Sequence, residues 1–284
     1  SRKTIREHVA AASDRLRGAG ITQSANLDAR LLAQHVLGWD AAKLLASASD
    51  AAPDHFAHDY EPLVARREQR EPLAYITGHR EFYGLDFEVT PAVHLPRPET
   101  ELIVEAVLAS APETQLFTMI DACTGSGNVA VAVAKHRKNA RIVATDISGA
   151  ALEVARRNAA RHGVEGRVMF VEADLFGDLG GPVDVVTVNP PYVPEKDRAG
   201  LQPEVGGHEP AVSLFGGHNG LDVVERVVRE APPLLREGGY LMFEFGFGQE
   251  VEVEALVRSS SALTLLDLRR DLQDIARTVI ARRT

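Results

Sequence analysis

From Glu99 onward the chain reads as short β-branched or apolar runs separated by amphipathic stretches of helical length, and this alternation limits the fold more than any other feature. The runs are Phe117-Thr118-Met119-Ile120-Asp121, Arg141-Ile142-Val143-Ala144-Thr145-Asp146, Val168-Met169-Phe170-Val171 and Val183-Asp184-Val185-Val186-Thr187-Val188. Ala150 to His162 is one of the helical stretches between them. Strands alternating with helices of this length predict an α/β fold with a mostly parallel, doubly wound sheet. Tyr240-Leu241-Met242-Phe243-Glu244-Phe245 adds a fifth strand, and Leu263 to Leu268 with Thr278 to Ala281 add two more, close enough in sequence to pair antiparallel. The expected sheet therefore has seven strands.

The first part, residues 1–78, has a different period. Ile5, Val9, Ala12 and Leu16 recur at helical spacing, and Gly18 and Gly20 end that segment. Ser24 is the expected cap of a second helix carrying Leu27, Leu31, Leu32, Val36 and Leu37; Asp54 is the expected cap of another carrying Phe56, Tyr60, Leu63 and Val64. With no β-rich run among them, these helices predict a small bundle. Residues 79–98 form the connector: Glu81 to Val89 alternates around the turn glycine Gly84 as a hairpin would, and Pro91, Pro96 and Pro98 keep helix from starting before Glu99. Residues 99–284 are then the α/β domain. A chain of 284 residues, 45% of them hydrophobic, has the length and apolar content for two cores.

Composition also narrows the setting. No run of about 18 apolar residues occurs, so no membrane span is expected. Ser1-Arg2-Lys3-Thr4 has no apolar stretch behind it and does not read as a secretory signal. Cys123 is the only cysteine, which rules out an internal disulfide and favours a reducing, cytoplasmic setting. The net charge of −9 disfavours a stable complex with nucleic acid, whose binding proteins carry a basic face. Arg66, Arg67, Arg70 and Arg80, with His79, read as a solvated helix face. The histidines show no ligand spacing, so no metal is expected.

After the first strand of the α/β domain comes Asp121-Ala122-Cys123-Thr124-Gly125-Ser126-Gly127-Asn128. Glycines in a strand-to-helix turn let a ligand approach the backbone closely. The next strand ends in Asp146, at roughly the 20-residue offset of a carboxylate that binds ribose hydroxyls. Ala130 follows Gly127 at a spacing that leaves both a dinucleotide and another nucleoside open. The third strand leads into Asp174, a candidate acceptor for an exocyclic adenine amine or else a turn cap.

Asn189-Pro190-Pro191-Tyr192 directly follows the fourth strand, at the strand end where open α/β sheets bind ligands. The prolines stiffen the loop and remove backbone donors, the Asn189 side chain adds an acceptor, and Tyr192 a flat face. A planar NH2 is a poor nucleophile because its lone pair is delocalised. Two acceptors on its hydrogens hold it in place and stabilise positive charge as a methyl group arrives from a sulfonium donor.

These residues bring the chain close to a known family. It resembles the HemK-type release-factor glutamine methyltransferases along nearly its whole length. The resemblance rests on Tyr75-Ile76-Thr77-Gly78, Glu81-Phe82-Tyr83-Gly84, Pro96-Arg97-Pro98-Glu99-Thr100-Glu101, Thr124-Gly125-Ser126-Gly127, Asn189-Pro190-Pro191-Tyr192, Pro203-Glu204-Val205 with His208-Glu209-Pro210, and Gly216-Gly217 with Gly220-Leu221. Asn-Pro-Pro-Tyr alone is shared with adenine-N6 DNA methyltransferases; the Pro-Arg-Pro-Glu-Thr-Glu segment narrows the choice.

The resemblance implies a Rossmann-like methyltransferase sheet, S-adenosyl-L-methionine as cofactor, a release factor as protein substrate, and a helical domain that helps recognise it. It implies that Cys123, Thr124, Gly125, Ser126 and Gly127 line the methionine part, Asp146 and Ile147 the ribose side, and Asp174 and Leu175 the adenine. Asn189, Pro190, Pro191 and Tyr192 are the expected catalytic loop, with Asn189 also near the cofactor; Pro96 to Thr100, including Arg97 and Thr100, closes over it. A monomer is expected.

The chain departs from the pattern at Cys123 and Asp274, where the family has glycine, and at Gly206 and Gly207, where an arginine is expected before His208. Other readings are a glutamine methyltransferase for a ribosomal protein, a nucleic-acid adenine methyltransferase, and a non-catalytic module that keeps the fold. The Pro-Arg-Pro-Glu-Thr-Glu segment, the net charge and the intact Asn189 and Tyr192 weigh against these in turn.

Overall fold

The computed structural model describes residues 2–111 and 113–284. By its contacts the chain divides into two compact units, one of Ser1–Gly78 with Gln202–His208, the other of His79–Leu201 with Glu209–Thr284.

The first unit is helical. Helix α1 (Ile5–Gly18) opens on a capping box in which Thr4 and Glu7 satisfy each other's backbone N–H groups. Helix α2 (Ala25–Leu37) ends at Gly38, whose φ of 63° suits the left-handed cap. Short α3 (Ala41–Ala46), α4 (Phe56–Glu68) and short α5 (Leu73–Thr77) follow. The apolar stripes of α1, α2 and α4 meet in one core around Leu16, Leu32, Phe56 and Tyr60. The Tyr60 hydroxyl is satisfied by the carbonyl of Ala29 at 2.8 Å.

Three local expectations are corrected. Ser24 precedes α2 but caps nothing with its side chain, because its hydroxyl donates to Asp28 instead. Asp54 does not cap α4; it pairs with Arg2 at 2.5 Å, and His55 takes the cap position. Leu27 is 56% exposed and lies off the apolar stripe.

Arg66 and Arg67 lie on α4 and Arg70 just past its end, and this run is paired with carboxylates, with Arg67 buried, and does not form a freely solvated face. Arg66 pairs with Glu71, and Arg67 is buried between Asp28 at 2.8 Å and Glu204 at 3.0 Å. Arg70 holds the same Glu204 at 2.7 Å. Burial raises the Glu204 pKa, but hydrogen bonds from Arg70 and Arg67 outweigh it and bring the pKa down to about 2. Periodicity sees the helix face that Arg67 occupies; it does not see the carboxylates that arrive from elsewhere in the chain.

The second unit opens with the hairpin β1 (His79–Phe82) and β2 (Leu85–Glu88). A short 3-10 turn at Pro98–Thr100 leads into α6 (Glu101–Ser110). The sheet then runs β3 (Phe117–Ala122), β4 (Ala140–Asp146), β5 (Val168–Glu172), β6 (Val183–Val188), β7 (Leu235–Glu244), β8 (Leu263–Arg270) and β9 (Ala276–Arg283). Between them lie α7 (Asn128–His136), α8 (Gly149–Arg161), α9 (Pro203–His208, grouped with the helical unit), α10 (Asp222–Glu230) and α11 (Glu250–Ser259).

The spatial order is β5-β4-β3-β6-β7-β9-β8, parallel except for β9, which runs antiparallel to both neighbours. This is the seven-stranded Rossmann-like sheet with the antiparallel pair expected at the chain's end. Strands buried on both faces read as continuous apolar runs, which is how β3 and β6 look in sequence. Helices α6 and α7 cover one face, with Ile103, Val107, Val129 and Val133 in the core. Helices α10 and α11 cover the other through Val224, Val227, Val253 and Val257. The connection after β5 returns to β6, next to β3, so the winding direction reverses between β3 and β6. Among the described residues no helix is long and apolar enough to cross a membrane.

Candidate active site

The reversal puts two motifs side by side. Ala122 at the end of β3 is in register with Val188 at the end of β6, so Cys123 and Asn189 leave adjacent strand ends. Carboxyl ends at such a switch point form the ligand crevice of open α/β sheets.

The turn after β3 is held from below. Asp121 is buried and accepts from the hydroxyls of Thr124 at 2.6 Å and Thr187 at 2.7 Å. Burial pushes the Asp121 pKa up to about 6 against these hydrogen bonds. Cys123, Gly125 and Gly127 have φ of 56°, 54° and 78°, all in the left-handed region. A Cβ on Gly127 would stand 3.0 Å from the Cβ of Ala155, so α8 packs against the turn only because that position is glycine. A Cβ on Gly125 would meet nothing within 4 Å; the turn is open on that side. Burial pushes the Cys123 thiol up, with Asp146 adding to the effect, and the group is a packing thiol.

Asp146 ends β4 beside this turn. One carboxylate oxygen accepts from the N–H of Gly125 at 2.9 Å and the other from that of Ser148 at 3.0 Å. Burial raises its pKa and these bonds oppose the rise. Ile147, next in the chain, is 54% exposed. Leu175 is buried at φ 51°, and its carbonyl accepts from the Thr145 hydroxyl at 2.5 Å, which ties the 174–175 turn to β4. Asp174 is exposed and paired with Arg226 of α10 at 3.0 Å.

At the end of β6, Asn189 Nδ2 donates to Thr100 Oγ1 at 3.2 Å. Thr100 in turn donates to Glu244 Oε2 at 2.6 Å, and the Tyr192 hydroxyl donates to Glu244 Oε1 at 2.7 Å. Burial and the neighbouring Glu244 carboxylate push the Tyr192 phenol well above its ordinary pKa. Gln249 fixes the same loop from behind, donating to the Tyr192 carbonyl at 2.9 Å and accepting from the Gly246 N–H at 2.8 Å.

Of the residues singled out from the sequence, the structure gathers Cys123 to Gly127, Asp146 and Ile147 at the β3 and β4 ends. It gathers Asn189 to Tyr192 with Thr100 at the β6 end. Thr100 faces Asn189 and Glu244 and shares no hydrogen bond with the β3 turn. Arg97 is turned to Glu209, which also faces His94 at 2.6 Å and takes the Leu95 N–H at 3.2 Å. The Arg97 pairing anchors the Pro96–Thr100 segment.

Residues 7–78 match the family described as PrmC N-terminal domain, and residues 99–202 the one described as Methyltransferase small domain. A protein named release factor glutamine methyltransferase from Geobacter sulfurreducens is 43% identical over 228 residues, covering 80% of this chain and 79% of that one. A protein of the same name from Mycolicibacterium smegmatis is 40% identical over 281 residues, covering 98% of each. The chain belongs to the release factor glutamine methyltransferase family. The structure of a ribosomal protein L11 methylase from Lactobacillus delbrueckii subsp. bulgaricus shares the fold, with a TM-score of 0.51 at 18% identity over 69% of this chain and 84% of that one.

In this member of the family, motif reading missed Glu244, Gln249 and Asn158. Glu244 reads as one acid inside an apolar strand; only the register of Val188 with Phe243 puts the next residue, Glu244, beside Asn189. Asn158, fully buried on α8, donates to the carbonyls of Ser126 at 2.9 Å and Glu88 at 3.0 Å. A polar residue on the buried side of an amphipathic helix was the signal available for Asn158.

Proposed function

We propose that this chain transfers the methyl group of S-adenosyl-L-methionine to the side-chain amide nitrogen of a glutamine in a peptide-chain release factor. The observation that carries the reading is the Asn189 carboxamide beside the β3 turn, with its nitrogen committed to Thr100.

The residues present fit the cofactor. The Asp146 carboxylate accepts from backbone N–H groups of Gly125 and Ser148, one on each oxygen, and no side chain donates to it among the described residues, so it keeps acceptor capacity for a ribose hydroxyl. Gly125 faces open space, and exposed Ile147 offers an apolar surface next to Asp146. Asp174, held by Arg226, and Leu175 complete the adenine side. When bound, S-adenosyl-L-methionine supplies an electrophilic methyl on a sulfonium.

The protein's part is to hold the glutamine. Asn189 Oδ1 and the Pro190 carbonyl accept the two hydrogens of the substrate amide, and Tyr192 packs beside it. Both acceptors gain strength as positive charge grows on the nitrogen, so they favour the transition state over the ground state. Held by these two acceptors, the amide nitrogen would be presented in line to the methyl that the bound cofactor would supply, and its proton would pass to solvent. Pro190 and Pro191 keep the loop from adjusting, so the geometry is set before the substrate arrives.

The helical residues 1–78 recognise the protein substrate, residues 79–98 connect, and residues 99–284 perform the transfer. The chain acts in the cytoplasm as a monomer and forms no stable complex with nucleic acid. The pairing of Arg66, Arg67 and Arg70 with carboxylates supports the last point, since it leaves that arginine run no excess of positive charge.

The test is transfer from labelled S-adenosyl-L-methionine to a purified, unmethylated bacterial release factor, with the target glutamine substituted in a control. Label that requires that glutamine is the expected result. Cofactor binding without label would move the substrate to another protein or to nucleic acid.

A further inference from the structure

Glu244 is 1% exposed, and among the described residues its hydrogen-bond donors are hydroxyls alone, from Thr100 at 2.6 Å and Tyr192 at 2.7 Å. No cation pairs with it among the described residues. Burying a carboxylate on such terms is costly, and a glutamine of the same shape would be cheaper to bury. What the glutamine lacks is symmetry of role. Burial raises the Glu244 pKa and the hydrogen bonds from Thr100 and Tyr192 oppose the rise; in its ionised form the carboxylate only accepts, so both hydroxyls donate to it.

The consequence reaches Asn189. Thr100 has one hydroxyl hydrogen, and Glu244 takes it. Toward Asn189 the Thr100 oxygen can then only accept, so the amide nitrogen of Asn189 faces it at 3.2 Å. Its oxygen, Oδ1, is left on the other side. We propose that Glu244 is a positioning residue that, through Thr100, fixes which end of the Asn189 carboxamide meets the substrate. This rests on the reading that Asn189 accepts from a substrate amide. Were Asn189 reversed, its NH2 would oppose the substrate NH2, donor against donor, and the acceptor that stabilises developing charge would be lost.

Glu244→Gln makes the opposite assignment. A phenol is a better donor than acceptor, so the new amide oxygen goes to Tyr192 and the new NH2 to Thr100. Thr100 then accepts from residue 244 and donates to Asn189, which turns its oxygen inward. Removing the hydroxyl with Thr100→Ala takes away the messenger and frees Asn189 to rotate.

The experiment measures single-turnover transfer to the release factor and the cofactor dissociation constant for wild type, Glu244→Gln, Thr100→Ala and the double variant. Glu244→Gln should slow transfer by about 100-fold with cofactor affinity changed by less than about threefold, as expected for an acceptor that acts in the transition state. The double variant should be faster than Glu244→Gln alone by about tenfold, a non-additivity that a merely structural carboxylate would not give. A double variant as slow as Glu244→Gln, or slower, overturns the proposal.

A second readout does not depend on turnover. In ¹⁵N-labelled protein the Asn189 side-chain NH2, identified by its loss in Asn189→Asp, should show a proton contact to the Thr100 methyl in wild type and lose it in Glu244→Gln. Absence of that contact in wild type overturns the proposal even if Glu244→Gln does not fold. If wild type transfers no methyl to a release factor, the reading of the reaction fails by itself, and this signal still decides the orientation.

Discussion

The Tyr192 hydroxyl donates to Glu244 Oε1 at 2.7 Å, joining the motif loop after β6 to the last residue of β7 across 52 positions of sequence. Tyr192→Phe keeps the ring and deletes this donor to a buried carboxylate. The variant should be less stable by about 1.5–3 kcal/mol, the range for a hydrogen bond to a charged group. Urea denaturation beside wild type measures it, and an unchanged midpoint would mean that Glu244 is not ionised in the folded protein.

Asn189 and Asp146 lie at strand ends on either side of β3 but should fail differently. Asn189→Ala should lower the transfer rate by about 100-fold or more while weakening the cofactor only slightly. Asp146→Ala should raise the cofactor dissociation constant first, since the lost carboxylate is proposed to hold the ribose. Calorimetric titration with the cofactor alone, beside single-turnover rates, separates the two. Equal losses in both quantities for Asn189→Ala would make it chiefly a cofactor ligand.

Cys123 holds a φ of 56° that glycine adopts freely and other residues resist. At an ordinary position an alanine is more stable than a glycine by about 0.5–1 kcal/mol. At 123 the order should reverse, with Cys123→Gly melting at or above Cys123→Ala, because both lose the thiol and only glycine loses the strain. The raised thiol pKa adds a chemical test: native protein at pH 8 should react with a thiol reagent far more slowly than free cysteine does.

Asp121 gives a pH dependence with a definite sign. Its pKa rises on folding from an ordinary 3.8 to about 6, mainly through burial. Between those values the folded protein binds the proton and the unfolded chain releases it. The group's contribution to stability therefore declines as pH rises from about 4 to about 6 and is level above that. Asp121→Asn cannot titrate. The stability of wild type relative to this variant should fall by about 2 kcal/mol between pH 4 and pH 7. Denaturation curves at four or five pH values would show it; a difference that stays flat would place the Asp121 pKa near its unfolded value.

Much of the architecture was legible because it is locally encoded. The runs that became β3 and β6, in the middle of the sheet, are mostly apolar or β-branched, as parallel strands covered on both faces tend to be. Gly125 and Gly127 announced a turn that needs left-handed backbone, and Asn189-Pro190-Pro191-Tyr192 announced a rigid loop. Local signals failed where another side chain competes for the group, whether one turn away or remote in sequence. Ser24 gave its hydroxyl to Asp28 and not to the helix end, Asp54 went to Arg2, and Arg67 left the solvent for Asp28 and Glu204.

The sequence alone determined the fold class, the strand count, and the placing of both motifs at strand ends, since each follows from hydrophobic period and backbone restriction along a short stretch. Only the tertiary structure decided what supports those motifs. Thr100 and Glu244 are 144 positions apart, and Thr100 and Asn189 are 89 apart. They meet because β6 and β7 hold one register from Val185 to Val188 and because α6 begins over their ends. Register and packing are properties of the whole sheet, and a buried carboxylate is satisfied by whichever hydroxyls the fold delivers to it.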